Sequence, residues 1–373
     1  MMSMQTPEQS PSDQAKPHPR LAKSFSQVAA ATVASKVVGL IRDVIVGKAY
    51  GTSIVADAYQ YAYLLTGNFF VMFGGLGGPF DTCTVTVLDS KSEEQRPVIL
   101  RKLLKSTYGA FALGMGTGAW AALNLSNRLV QLPLGVLVTA MIVPMLPRFT
   151  RSATTGNFEK LRSDFERSVR FLWFTTLPIL AVFCALAKDI VRVLFEGGQF
   201  KQDSVDLVTL ALIFQLPSMF FYVARDLMTR VFYAFRDTHT PFRIACLTLV
   251  LKAIFDAVFV LYYKMDVAGI SLSTSLVTAV NFVVLICLLK KQRNMGLNKI
   301  ILPTLGMAVG AIICWFITAK TMPLVGQLIP QKISGFIPIA ISALAGLFAY
   351  AATCWAFRIE DMKLVISQLL LRK

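Results

Sequence analysis

Lys36, Arg42 and Asp43 stand inside a largely apolar stretch near the start of the chain, residues 28–50. A charge at bilayer depth is costly, and where it is kept it marks a water-filled pathway, a counter-charge or an anionic ligand. At 100° per residue, Thr32, Ser35, Gly39 and Arg42 share one stripe of a helix, with Lys36 and Asp43 at its borders. Guanidinium and ammonium groups on such a stripe suit an anionic ligand. The alternative is that Lys36 and Arg42 snorkel outward from a helix end. Ser35 and Gly39, lying between them, favour the inward stripe.

The elements that must position these residues are set by composition. Of 373 residues, 55% are hydrophobic and 16% charged, with a mean hydropathy of +0.60. That exceeds what a soluble domain of this length buries, so the expected fold is an all-α polytopic membrane protein. Apolar stretches at 28–49, 54–88, 107–123, 129–147, 168–188, 205–234, 241–263, 267–289, 300–320 and 335–357 predict about ten transmembrane helices. They lack the two-residue alternation of a transmembrane barrel.

The net charge of +16 does not indicate nucleic acid, because the basic residues gather in alternate loops. They fill the N-terminal tail and the segments 91–105, 148–167, 236–243, 290–299 and 358–373, while the loops near Gly51, Asn127, Lys201, Lys264 and Lys332 are poor in them. The positive-inside rule then places both termini in the cytoplasm. Residues 1–24, polar and containing Pro and Ser, read as a disordered cytoplasmic tail and not as a signal peptide.

Enzyme chemistry has little material. The six cysteines lie singly in or beside apolar stretches, as small core residues do. The only histidines are His18 and His239, which excludes a histidine-rich metal site. No D-x-D or D-D-x-x-D is present to hold Mg²⁺ for a polyprenyl-phosphate transferase, and no G-x-x-x-x-G-K to hold ATP. The expectation is a transporter without a cofactor, not an enzyme.

Punctuation falls at Gly74-Gly75, Gly77-Gly78-Pro79, Pro133, Gly135 and Pro217. Broken helices lining a cavity explain this pattern, and so does close packing through small residues. Residues 195–200 read as an exposed turn. In the turn 236–241, Asp237 is placed to accept backbone hydrogen bonds and Pro241 to open the next helix, while Asp226 and Arg230 are spaced to pair.

Taken together, four segments resemble the MurJ/MviN family of lipid II flippases, in the multidrug/oligosaccharidyl-lipid/polysaccharide exporter superfamily. They are Ser35-Lys36-Val37-Val38-Gly39-Leu40-Ile41-Arg42-Asp43 followed by Tyr50-Gly51 and Ala56-Asp57-Ala58-Tyr59; Asn127-Arg128-Leu129 with Pro133-Leu134-Gly135-Val136 and Leu146-Pro147; Phe195 to Phe200; and Phe232-Tyr233-Ala234-Phe235-Arg236-Asp237-Thr238-His239-Thr240-Pro241. The resemblance covers residues 25–295 with interruptions. The family has fourteen helices, so about four of its first half are missing here, an even number that keeps the alternation of sides.

The resemblance implies that Lys36, Arg42, Asp57 and Arg128 bind substrate, and that Ser35, Gly39, Gly135, Asp237 and Pro241 have structural or gating roles. Lys36 stands where the family has arginine, keeping charge but losing the bidentate fork. The pattern's arginine near the end of the second helix has no match around Asn68 to Phe70, nor has the one in the 195–200 turn. The implied organisation is a tail at 1–24, a remnant of the N-terminal half at 25–123, the core of the C-terminal half at 124–295, and two last helices with a cytoplasmic tail at 296–373. The implied activity is movement of lipid II, a polyprenyl-diphosphate-linked disaccharide-peptide, across the inner (plasma) membrane in peptidoglycan biosynthesis. Membrane lipids, and further copies of the chain, are the other expected partners; nucleic acid is not. Alternatives are export of polysaccharide precursors or drugs, and an internally shortened, inactive remnant.

Overall fold

A computed structural model describes residues 36–53, 56–57, 118–293, 295, 300–328 and 335–357. The expected tails, Thr32, Ser35, Cys83, the second span with its glycine cluster and the basic loop at 91–105 lie outside the described residues.

The elements are helical throughout. Residues 36–50 form α1. Then come α2 (Ala119–Leu137), which runs on as a π-helical turn over Val138–Ile142, and the short α3 (Met145–Thr154). They are followed by α4 (Phe158–Phe195), α5 (Gln202–Gln215) and α6 (Pro217–Ala234). The last elements are α7 (His239–Ala257) with a π-helical turn at Val258–Tyr262, α8 (Asp266–Arg293), α9 (Ile301–Leu328) and α10 (Phe336–Ala356).

Helices α4, α8, α9, α10 and the run His239–Tyr262 are each long and apolar enough to cross a membrane, and the α5–α6 pair makes a sixth candidate span bent by 41°. These coincide with six of the expected spans, and their outer faces carry exposed Leu302, Leu328, Phe348 and Trp355, as lipid contact requires. The protein is an all-α integral membrane protein.

Local chemistry explains the breaks. Asn157 caps α4 by accepting the Lys160 amide at 3.0 Å. With 38 residues, α4 is about 57 Å long at 1.5 Å per residue, nearly twice the hydrocarbon thickness. Its first turns, bearing Lys160, Arg162 and Arg167, therefore stand beyond the apolar run that opens at Phe171. Pro217 has no N–H to give the preceding turn, so the span bends there. Hydroxyls take up carbonyls at the bend: Ser275 donates to Phe214 O at 2.7 Å and Ser218 to Gln215 O at 2.6 Å.

One difference from the sequence reading concerns Asn127, expected in a loop. It lies inside α2, which is continuous from Ala119 across the 123/124 boundary expected between the two halves. The N-cap of α2 is Gly118, whose φ of 84° is left-handed and whose face abuts the Thr52 carbonyl. Inside the helix, the Asn127 amide oxygen accepts from Gln215 Nε2 at 3.0 Å.

The main core joins α2 through α8 around fully buried Phe165, Leu212, Met219 and Phe232. The α9–α10 hairpin packs on α4 through a second cluster, where Tyr350 donates to the Phe174 carbonyl at 2.9 Å.

Candidate functional site

Helix α1 lies antiparallel to α2, with a register that four contacts define. Lys36 meets Gln131 and Gly135, Asp43 meets Arg128, Gly47 faces Leu125, and Thr52 abuts Gly118. The seven residues from Lys36 to Asp43 along α1 are matched by the seven from Gly135 back to Arg128 along α2.

At the centre is a carboxylate between two guanidinium groups. Arg42 places Nη2 at 2.7 Å and Nε at 3.0 Å from Asp43 Oδ1, and Arg128 Nε lies 3.1 Å from Oδ2. The second contact is Coulombic without an aligned hydrogen bond. Only 3% of the Asp43 side chain is exposed, against 35% of Arg42 and 31% of Arg128, so the acid is sealed while each cation keeps an open side. About two turns away along α1, Lys36 Nζ donates to Gln131 Oε1 at 3.2 Å and has no carboxylate partner among the described residues. Three cations against one carboxylate leave an excess of two positive charges. Such an arrangement presents forked donors to a diphosphate while Asp43 holds the forks in place.

Of the residues expected to bind substrate, the structure thus brings Lys36, Arg42 and Arg128 together, and Asp43 replaces Asp57 as the acid among them. The inward face of α1 is centred on Asp43, about one residue round from the stripe expected through Gly39 and Arg42. Among the described residues, no atom lies near the position of a Cβ on Gly39. Gly135 lies against the Lys36 side chain, where a Cβ would come 3.1 Å from Cε.

Asp57 spends both oxygens on the start of α2. It accepts the Gly118 amide at 2.7 Å and the Ala121 amide at 2.8 Å, in a first turn that has no acidic residue of its own. This is N-terminal capping across 61 residues of sequence. Asp57→Ala is therefore expected to cost about 1–2 kcal/mol, and Asp57→Asn less. A thermal midpoint in detergent unchanged by Asp57→Ala would contradict the capping role.

Two further devices hold the site. The Gly197–Phe200 turn docks on the C-terminal end of α1: the Gln199 amide donates to Lys48 O at 3.0 Å, and Phe195 and Phe200 are buried beneath it. Gly198, at φ 60°, lies against the Lys48 carbonyl, where any side chain would collide. At the bend of α5–α6, Gln215 accepts from Ser126 at 3.0 Å and donates to Asn127 at 3.0 Å, tying α2 to the break in the neighbouring span. The expected turn before α7 is also formed. Asp237 accepts the Thr240 amide at 3.0 Å and its hydroxyl at 2.7 Å, Pro241 is buried in the first turn, and Asp226 pairs with Arg230 at 3.3 Å.

One charged feature went unread in the sequence. Within the apolar run of α7, Lys252 Nζ lies 2.8 and 2.9 Å from the two oxygens of Asp256, whose side chain is 6% exposed. Their i, i+4 spacing, the same that marks Asp226 and Arg230, was the available signal.

The model of the MurJ family, described as lipid II flippase MurJ, matches residues 108–334. A probable lipid II flippase MurJ from Synechocystis sp. is 30% identical over 174 residues, covering 47% of this chain and 32% of that protein. One from Rhizobium meliloti is 28% identical over 236 residues, covering 63% and 43%. The chain thus spans from about a third to less than half of the length of these curated relatives. Among solved structures, a lipid II flippase MurJ in an inward closed conformation matches with a TM-score of 0.55 at 17% identity, over 81% of this chain and 66% of that one, a likeness of fold. With the family model matching more than half of its residues, the chain belongs to the MurJ family.

Proposed function

We propose that the chain binds lipid II through its diphosphate and carries it across the inner (plasma) membrane by alternating access, both termini facing the cytoplasm. The observation that carries this reading is the Lys36, Arg42, Asp43, Arg128 cluster, with its excess of positive charge and half-open guanidinium groups between two helices. A diphosphate between a sugar-peptide head and a polyprenyl tail needs a wet cationic groove open sideways to lipid, and cations at membrane depth supply it. The tie from Asn127 through Gln215 to the bend at Pro217 gives the cluster a route to a helix break of the kind that rocking transporters use. The reading is that of a transporter, and no reaction is assigned to these residues.

The test is complementation of a strain depleted of its own lipid II flippase. Arg42→Ala is expected to abolish growth rescue, and Arg42→Lys to keep part of it, because charge survives without the planar fork. Full rescue by Arg42→Ala at equal expression would make the α1 cluster structural only.

A further inference from the structure

Away from the cluster, a cavity of about 290 Å³ opens where α2 ends and α3 meets α4. Its floor is apolar, formed by Met145, Phe171 and Leu172, and its rim carries Arg148 and Arg167. Both arginines are exposed, and among the described residues neither makes an ion pair. Asp164 shares the rim, and Ser168 beside it already donates to the Asp164 carbonyl at 2.6 Å.

The position of this cavity along α4 is informative. Arg167 belongs to the charged turns that stand outside the bilayer, and Phe171 begins the apolar run, so the cavity spans the level of the lipid headgroups. Helix α3 lies alongside with its Phe149 buried and Arg148 and Arg151 on its outer side, the pattern of a helix resting in the interface. A pocket with basic rim and apolar floor at this level matches a phosphodiester joined to acyl chains. Asp164 adds an acceptor for a donor on the same headgroup. Two arginines and one carboxylate leave one positive charge, the complement of a singly anionic lipid with headgroup hydroxyls.

We propose that this cavity is a binding site for an anionic glycerophospholipid of the phosphatidylglycerol type, held by Arg148 and Arg167 on its phosphate and by Asp164 on a headgroup hydroxyl. The site is separate from the α1–α2 cluster and does not rest on the function assigned to it. A lipid held here would clamp α3 to α4, and so steady the C-terminal end of α2, the helix whose middle carries Arg128.

The test uses the full chain in phosphatidylcholine nanodiscs doped with a photoreactive phosphatidylglycerol, with the labelled peptides mapped after irradiation. Label is expected on peptides within residues 141–172, displaced by unlabelled phosphatidylglycerol and not by inorganic phosphate. Affinity should fall roughly fivefold for R148Q or R167Q alone and about thirtyfold for both, while the lysine pair R148K/R167K retains most of it. Arg192→Gln, at the other end of α4, should label as the parent does. Three results overturn the proposal: parental labelling of the R148Q/R167Q protein, equal labelling by photoreactive phosphatidylcholine or phosphatidylethanolamine, or displacement by inorganic phosphate, which would make this a free-phosphate site. A loss in R148Q/R167Q counts only if its thermal midpoint stays near that of R148K/R167K. If it does not, the lysine pair decides, and failure of that folded pair to label above phosphatidylcholine overturns the assignment.

Discussion

Asp43→Ala will lower the stability of the protein by about 3 kcal/mol, because it leaves Arg42 and Arg128 facing each other across a sealed gap. Breaking one partner out of a buried ion pair costs about 3–5 kcal/mol, and the low end applies because both arginines keep roughly a third of their side chains exposed to screening. Asp43→Asn is the milder change, since its amide oxygen still accepts from Arg42 while the charge is lost. The measurement is the thermal unfolding midpoint of the purified protein in detergent, with the parent, Asp43→Asn and Asp43→Ala compared. An Asp43→Ala midpoint equal to the parent's would show that the arginines do not need the acid.

A single copy of the chain will fail to move lipid II in liposomes. The resemblance implies that the family bundle walls its cavity with helices from both halves and that about four of the first half are missing here; on that reading one side of the cationic groove faces lipid. Exposing Lys36, Arg42 and Arg128 to hydrocarbon costs roughly 2.5–3.5 kcal/mol each on insertion scales, which favours association of copies that covers the gap. Translocation assayed with protein fixed as one copy per liposome should be absent, and should appear, if at all, at densities where copies associate. Flipping by a protein shown to be monomeric would overturn this and make the complete groove unnecessary.

Much of the architecture was legible in the sequence because hydrophobic run length reports directly on membrane-spanning helices. The six candidate spans fall where the apolar stretches do. Asn127 misled because a polar pair, Ser126-Asn127, inside an apolar stretch has the local composition of a loop. The polar partner of both side chains is Gln215, nearly ninety residues away, and no local pattern encodes that partner. The site was legible in part for the same reason. Charge at membrane depth singled out Lys36, Arg42 and Asp43, yet helical periodicity alone does not say which side of the stripe meets a neighbour. Packing against α2 turned α1 by about one residue and put Asp43, not Arg42, at the centre. Asp57 entered the expected site through the family resemblance of Ala56-Asp57-Ala58-Tyr59, not through any local pattern of charge. Its actual partners, the amides of Gly118 and Ala121, carry no sequence signal.

The central claim is that Lys36, Arg42 and Arg128 hold the diphosphate of a lipid-linked precursor, and lipid II binding by purified protein tests it most directly. Native mass spectrometry of the parent and of the Lys36→Gln, Arg42→Gln, Arg128→Gln triple variant, each with lipid II added at rising concentration, gives the comparison. Truncating charge-paired contacts of this kind costs about 2–5 kcal/mol, so affinity should fall at least thirtyfold in the triple variant, with the thermal midpoint measured alongside to confirm folding. Equal lipid II occupancy in the parent and in a folded triple variant would contradict the claim.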